Sequence, residues 1–137
     1  MTTDTGTELR TLSTTECWEL LAGRGLGRVA WTAPDGPTVV PVNYGVAGRT
    51  LWIRTSAYAA LVREADQSPV ALEVDGADEA SHAAWSVLVR GTAHVRFPSD
   101  GGATPPAVET WPAGPRPLWV VIDPREVTGR RLPPREG

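Results

Sequence analysis

The sequence predicts a mainly β fold, a six- to seven-stranded antiparallel barrel, closed or nearly closed, with short helices. Three observations carry that prediction. Strand-like runs follow one another in quick succession, with turn signals between them. Residues 85–97 alternate: Trp85, Val87, Val89, Gly91, Ala93, Val95 and Phe97 are nonpolar, while Ser86, Arg90, Thr92, His94 and Arg96 stand between them, with Leu88 the one exception. One face of this strand therefore looks inward and the other presents polar groups. Gly91 sits in mid-strand, where closing a small barrel requires a bend.

The elements can be justified in order. Residues 1–10 are Thr-rich and read as a disordered tail. In "LSTTECWELLAG", Ser13 and Glu16 form a capping-box pattern, with Leu12 and Cys17 placed as a staple. Cys17, Leu20 and Leu21 line one face of this helix, and Gly23 and Gly25 end it. "LGRVAWTA" (26–33) leads through "PDG" into "PTVVPVNYGV" (37–46), then through Ala47-Gly48 into "RTLWIRT" (49–55), a meander of hairpins. A short helix at 57–66 precedes "PVALEVD" (69–75), an acidic loop and the long strand 85–97. Six prolines and three glycines in 98–117 read as a loop with one helical turn near Val108. A loop of that length in a compact domain packs on a partner or covers a site. The strand "LWVVID" (118–123) and the segment "TGRRL" complete a single domain over 11–132, and 133–137 read as a tail.

Composition narrows the chemistry. A chain of 137 residues forms one domain able to bury roughly 70% of its unfolded surface. No apolar run is long enough to cross a bilayer, and the first ten residues lack the pattern of a signal peptide. The single Cys17 excludes an internal disulfide and any Cys-based zinc site, which points to the cytoplasm; its own reading is a small buried hydrophobe. A net charge of -3 argues against nucleic acid as a partner. All thirteen basic residues are Arg, so lysine nucleophiles and a P-loop lysine are ruled out. Any bound anion must be held by Arg, hydroxyls or backbone amides. "GRGLGR" imitates a phosphate loop but follows a helix and enters a strand, which makes it a helix stop.

The candidate site begins at Arg54, Thr55 and Ser56. A strand end with hydroxyls, an Arg fork and a following helix start favours an anion. The same triplet also reads as a solvated strand end with an Arg paired to a carboxylate. "VVPVNY" holds the chain's one Asn, Asn43, and Pro41 removes a ladder donor, which fits an edge strand, a groove or a bulge. Trp85 and Trp119 can shield a planar ring or fill a core. Arg90 reads as one half of an ion pair across an interface or as a contact to a second substrate, the pair being preferred. His82 belongs to a solvated acidic loop, His94 to an exposed face, and no Ser-His-Asp spacing is present.

The order helix, "GRVAW", "PTVVPVNY", "LWIRT", helix, "VALEVD", "WSVLVRGTA", "VTGRRL" resembles the pyridoxamine 5'-phosphate oxidase-like family of flavin-binding split β-barrels, and most of all its short actinobacterial members. The likeness spans residues 12–132 apart from the Pro/Gly-rich loop. It implies a homodimer with cofactor sites at the interface and a small-molecule substrate. It implies FMN as cofactor, with the deazaflavin F420 or haem as alternatives. Val40, Pro41, Val42, Asn43 and Tyr44 would run along the ring and ribityl chain, Arg54 and Thr55 would bind the phosphate, and Ser86 would reach the ring's polar edge. The implied activity is a flavin-dependent oxidoreductase. The alternatives are a non-catalytic module binding flavin, deazaflavin or haem, and a dimeric barrel that has lost its cofactor.

One departure stands out. Relatives carry a Lys or Arg about five residues after the strand-end Thr, where this chain has Ala60 and Leu61. Arg63, three residues beyond Ala60 on the same helical face, is the candidate to reach back.

Overall fold

The structure, a computed structural model, describes residues 8–135. It contains β1 (Arg10–Thr11), α1 (Thr14–Ala22), β2 (Leu26–Ala33), β3 (Gly36–Ala47), β4 (Thr50–Thr55), α2 (Ala60–Ala65), β5 (Pro69–Asp78), β6 (Ala83–Arg96) and β7 (Leu118–Leu132). All pairings are antiparallel. The strand order is β1-β7-β4-β3-β2-β5-β6, and a further β6–β7 pairing closes the ring. This is the mainly β split barrel that the sequence predicts.

The alternation read in β6 points Val87, Val89 and Ala93 into the core. There they meet Val29, Leu51, Ile53, Leu72, Val74, Val120 and Ile122, all buried. Gly91 does bend the strand. The register shifts between Arg90 and Gly91, and a Cβ on Gly91 would lie 2.2 Å from the Asp123 carbonyl oxygen. That bulge brings Pro124 opposite Gly91, so a residue without an N–H is absorbed where the ladder is already irregular. For this reason "LWVVID" and "TGRRL" are not separate segments but one fifteen-residue strand, β7.

Other boundaries moved. β5 and β6 extend into the expected acidic loop and leave a short turn in which His82 adopts φ 61°. α2 starts at Ala60 and not at 57, because Ser56–Tyr58 form a turn in which the Ala59 amide donates to the Ser56 carbonyl at 3.3 Å. There is no helical turn at Val108; the loop's one 3-10 turn is Pro98–Asp100. Residues 1–7 of the expected N-terminal tail, and 136–137 of the C-terminal one, lie outside the described residues. Arg10 and Thr11 pair with Arg131 and Arg130.

The two helices pack on different parts of the sheet, α1 on β7, β3 and β6 and α2 on β2 and β6. α1 is capped as predicted: the Ser13 amide donates to Glu16 Oε1 at 3.0 Å, and the Glu16 amide to Ser13 Oγ at 3.1 Å. Its buried face holds Cys17, Trp18 and Leu21, and Leu20 is only half-buried. Gly129 makes that docking possible, since a Cβ there would sit 2.7 Å from Cys17 Sγ. Burial accordingly pushes the Cys17 thiol pKa up. α2 packs against β2 and β6 through Leu61 and Ala65.

Candidate functional site: a cleft between diverging strands

β3 and β4 pair only from Tyr44↔Ile53 to Ala47↔Thr50. Toward the start of β3 and the end of β4 they part, leaving residues 37–43 paired on one side alone, with β2. Pro41 lies on this free stretch, as a residue without a ladder donor should. The gap forms a cleft of about 330 Å³ bounded by Leu26, Trp31, Val40 to Asn43, Arg54, Thr55 and Ala59 to Leu61.

The Pro/Gly-rich loop 98–117, hereafter the strap, closes one side of the cleft with Thr110, Trp111, Pro112 and Arg116. It is tied down along its length. Arg96 Nη2 donates to the Gly101 carbonyl. Pro106 and Val108 lie against Gly45, where a Cβ would come within 2.9 Å of Val108 Cγ2. The Trp111 amide donates to Asn43 Oδ1 at 2.8 Å, and Arg54 Nε donates to the Arg116 carbonyl at 3.1 Å. Asn43, whose Nδ2 donates to the Gly25 carbonyl at 3.3 Å, thus joins the strap to the start of β2. The Trp111 side chain itself remains 68% exposed.

The donors of the cleft suit a long ligand with an anionic end. Thr55 is only 8% exposed, and among the described residues its hydroxyl makes no hydrogen bond. Arg54 uses Nε on the strap and has its two terminal nitrogens left over. Its guanidinium lies 5.7 Å from the Trp119 ring. Trp31, 5% exposed, carries a buried indole N–H without a partner. Trp52, outside the cleft, has an equally buried and unpartnered indole N–H, so Trp31 is read as a wall residue. Val40, Val42, Leu26 and Leu61 supply apolar walls for a planar body. The donor set and the walls fit a phosphorylated, ring-bearing cofactor.

Of the residues singled out in the sequence, Val40, Pro41, Val42, Asn43, Arg54 and Thr55 meet in this cleft. Tyr44 turns the other way: its hydroxyl donates to the Leu21 carbonyl at 2.7 Å, and burial pushes its pKa up to about 12. Ser56 lies in the turn beyond the cleft wall. Arg63 Nη1 donates to the Tyr58 carbonyl, outside the residues that line the cleft. Trp85 and Ser86 lie on β6 opposite Arg131 and Arg130, away from it, with the Arg24 guanidinium 5.5 Å from the Trp85 ring. Trp119 packs edge-on against Trp52 at 5.7 Å and does not line the cleft. Within the chain, Arg90 Nη1 lies 3.9 Å from Glu126 Oε1. Among the described residues no group of three or more His, Cys, Asp or Glu could hold a metal ion.

Sequence reasoning missed Trp31, Trp111 and Arg116. Trp31 falls on the inward face of β2, where an indole reads as core. The other two lie in a segment without periodicity, which only the strap's tethers bring to the site.

A second, wider cleft of about 770 Å³ adjoins the first and shares Leu26 and Trp111 with it. It is lined by Arg24, Arg28, Asp75 and Glu109 among others. Arg28 is engaged there by Glu73 at 3.2 Å and Asp75 at 3.0 Å. Burial and the neighbouring Asp75 raise the Glu73 pKa against the pull of Arg28.

Comparison with known proteins agrees with this architecture. The sequence model of the family described as pyridoxamine 5'-phosphate oxidase matches residues 13–131. The uncharacterized protein Rv0080 of Mycobacterium tuberculosis is 32% identical over 138 residues, covering 91% of this chain and 86% of the relative. The solved structure of an FAD-binding protein from Mycobacterium smegmatis is 33% identical, covers 92% of this chain and all of that one, and superposes with a TM-score of 0.73. An FAD-binding protein from Mesorhizobium loti, 22% identical, covers 93% of this chain and 99% of its own, and shares the fold with a TM-score of 0.72.

Proposed function

The chain belongs to the pyridoxamine 5'-phosphate oxidase family, and on that premise we propose that it binds FMN in the cleft between β3 and β4 and acts as a flavin-dependent oxidoreductase on a small molecule. The observation that carries the reading is the cleft's polarity. Arg54 and the unpartnered Thr55 hydroxyl stand among apolar walls made by Leu26, Val40, Val42 and Leu61. Arg54 and Thr55, with Ser56 beyond them, would hold the phosphate by charge-assisted hydrogen bonds. The free edge of β3 from Val40 to Asn43 would border the ribityl chain and ring, with Trp31 as part of the wall. The M. smegmatis relative, an FAD-binding protein, supports a flavin as the cofactor.

A bound flavin supplies the electron and hydride transfer; the protein orients it and limits water. No side chain then has to act as acid or base, in keeping with the lack of a catalytic constellation. Trp85 and Ser86 lie outside the cleft of their own chain, so they join the site only from a second copy in a homodimer.

A second reading is a non-catalytic module for a flavin, F420 or haem, or a barrel without cofactor. It rests on one observation: Ala60 and Leu61 present no cation to the cleft. Titration with FMN and FAD, with absorbance of the purified protein and light scattering, tests both. The first reading expects a yellow dimer with one flavin per chain that is reduced by a hydride donor. Arg54→Ala should weaken FMN binding roughly ten- to hundredfold, the equivalent of about 1.5–3 kcal/mol. A colourless protein that takes up neither flavin overturns it, and a haem spectrum favours the module.

A further inference from the structure

The anion-binding end of the cleft has one cation in the strand, Arg54, and none in the helix that follows. α2 and the residue before it contribute Ala59, Ala60 and Leu61 to the wall. Arg63, one turn further on, is drawn away from the cleft by the Tyr58 carbonyl. The strap supplies a different arginine. Arg116 lies on the same wall as Arg54, Thr55 and Ala60, and its carbonyl accepts the Arg54 Nε hydrogen bond at 3.1 Å, which holds the two residues side by side. Among the described residues the Arg116 guanidinium makes no ion pair and no hydrogen bond. The cleft wall contains two arginines and no Asp or Glu, in contrast to the neighbouring cleft, where Asp75 and Glu109 accompany the arginines.

A cleft wall that carries two arginines and no carboxylate favours an anion. The backbone at Arg116 is also preset. Pro115 fixes its own φ on one side of Arg116, and Pro117 restricts Arg116 itself to extended conformations. A side chain on such a segment loses little backbone freedom when it engages a ligand.

We propose that Arg116 is the second cation of the phosphate subsite, reaching it from the strap where α2 and the residue before it offer the wall only Ala59, Ala60 and Leu61. The ligand it selects is a phosphomonoester or diphosphate on a flavin. This rests on the flavin reading above and deepens it: the strap is then part of the cofactor site, and affinity for the phosphate depends on the strap lying down.

The test separates phosphate recognition from folding. Wild type, Arg116→Gln, Arg116→Lys and Arg63→Ala are titrated with FMN, FAD and riboflavin, which lacks the phosphate. The proposal expects wild type to prefer the phosphorylated flavins over riboflavin. R116Q should raise the Kd for FMN or FAD about ten- to hundredfold while changing that for riboflavin less than about twofold. R116K should restore part of the loss, and R63A should change FMN affinity by no more than about threefold. Equal losses for FMN and riboflavin in R116Q would mean that Arg116 only supports the strap, and unchanged FMN affinity would remove it from the site; either result overturns the proposal. A wild-type protein that binds riboflavin as tightly as FMN overturns it too, while leaving flavin binding intact. A wild type that binds no flavin defeats the flavin reading itself, and this proposal with it.

Discussion

The end of the barrel under α1 and the side under the strap are built on opposite terms. At the α1 end the polar groups are matched. The capping box satisfies its amides, the Tyr44 hydroxyl reaches the Leu21 carbonyl at 2.7 Å, and Cys17 fits against Gly129 with no room for a further atom. Under the strap, the Trp31 indole N–H has no partner, the Thr55 hydroxyl is unused among the described residues, and an indole stands in solvent at Trp111. Both regions draw on the same strands, β3 above all. Its Tyr44 serves the first and its neighbour Asn43 the second, because adjacent strand residues point to opposite faces. The difference teaches that β3 serves both regions, Tyr44 locking α1 and Asn43 seating the strap, while the unused donors of the strap side stand on the flanking strands at Trp31 and Thr55.

The sharpest way to break that contrast is to damage the packed end and ask whether the cleft notices. Leu21→Ala should cost about 3 kcal/mol of stability, since it empties a fully buried site. Measured by urea unfolding, the loss should come without a change in FMN affinity beyond about twofold. A large affinity loss would show the two regions to be one.

Tyr44→Phe removes a single buried hydrogen bond and should cost about 1 kcal/mol at neutral pH. Its sharper signature is in alkali. The folded-state pKa of Tyr44 lies near 12, above its ordinary value of 10, so the unfolded chain ionises first. Its contribution is whole below about pH 10 and is lost as pH rises toward 12. The raised Cys17 thiol adds a loss of the same sign. With no Lys in the chain, few other groups titrate in that window. Thermal melts between pH 9 and 12 should therefore show a shallower decline in Tyr44→Phe than in wild type.

The smallest effect on stability should come from Gly45→Ala, which pushes on the strap alone. A Cβ within 2.9 Å of Val108 Cγ2 forces the strap to give by a few tenths of an ångström. The expected outcome is a stability change under about 1 kcal/mol with a measurable rise in the Kd for FMN. An unchanged Kd would mean that the strap's seat on Gly45 does not matter to the cleft.

Much of this division was legible in the sequence, and the reasons it was are physical. The period of two in β6 exposed the inward face, the Ser13–Glu16 spacing announced the cap of α1, and Gly91 marked the bulge. Pro41 foretold the free edge, and the run from Val40 to Thr55 held most of the cleft's strand residues. What escaped lay where local pattern carries no information. Pro124 looked like the end of a strand, yet the bulge opposite it absorbed the missing donor. Arg63 looked close to the anion site by helical spacing, but α2 begins late and the Tyr58 carbonyl captured its guanidinium. Arg116 gave no signal at all, because its position depends on tethers made across more than sixty residues of chain.

β7 comes last among the strands, and it alone joins the two ends of the sheet by pairing with both β4 and β6. During synthesis the earlier strands must therefore wait as an open sheet with two bare margins. The ring can shut only after residue 132 clears the ribosome. Until then β4 and β6 offer unpaired amides to any neighbouring nascent chain, so a pause in translation ahead of Leu118 would lengthen the interval in which the polypeptide is most prone to aggregate.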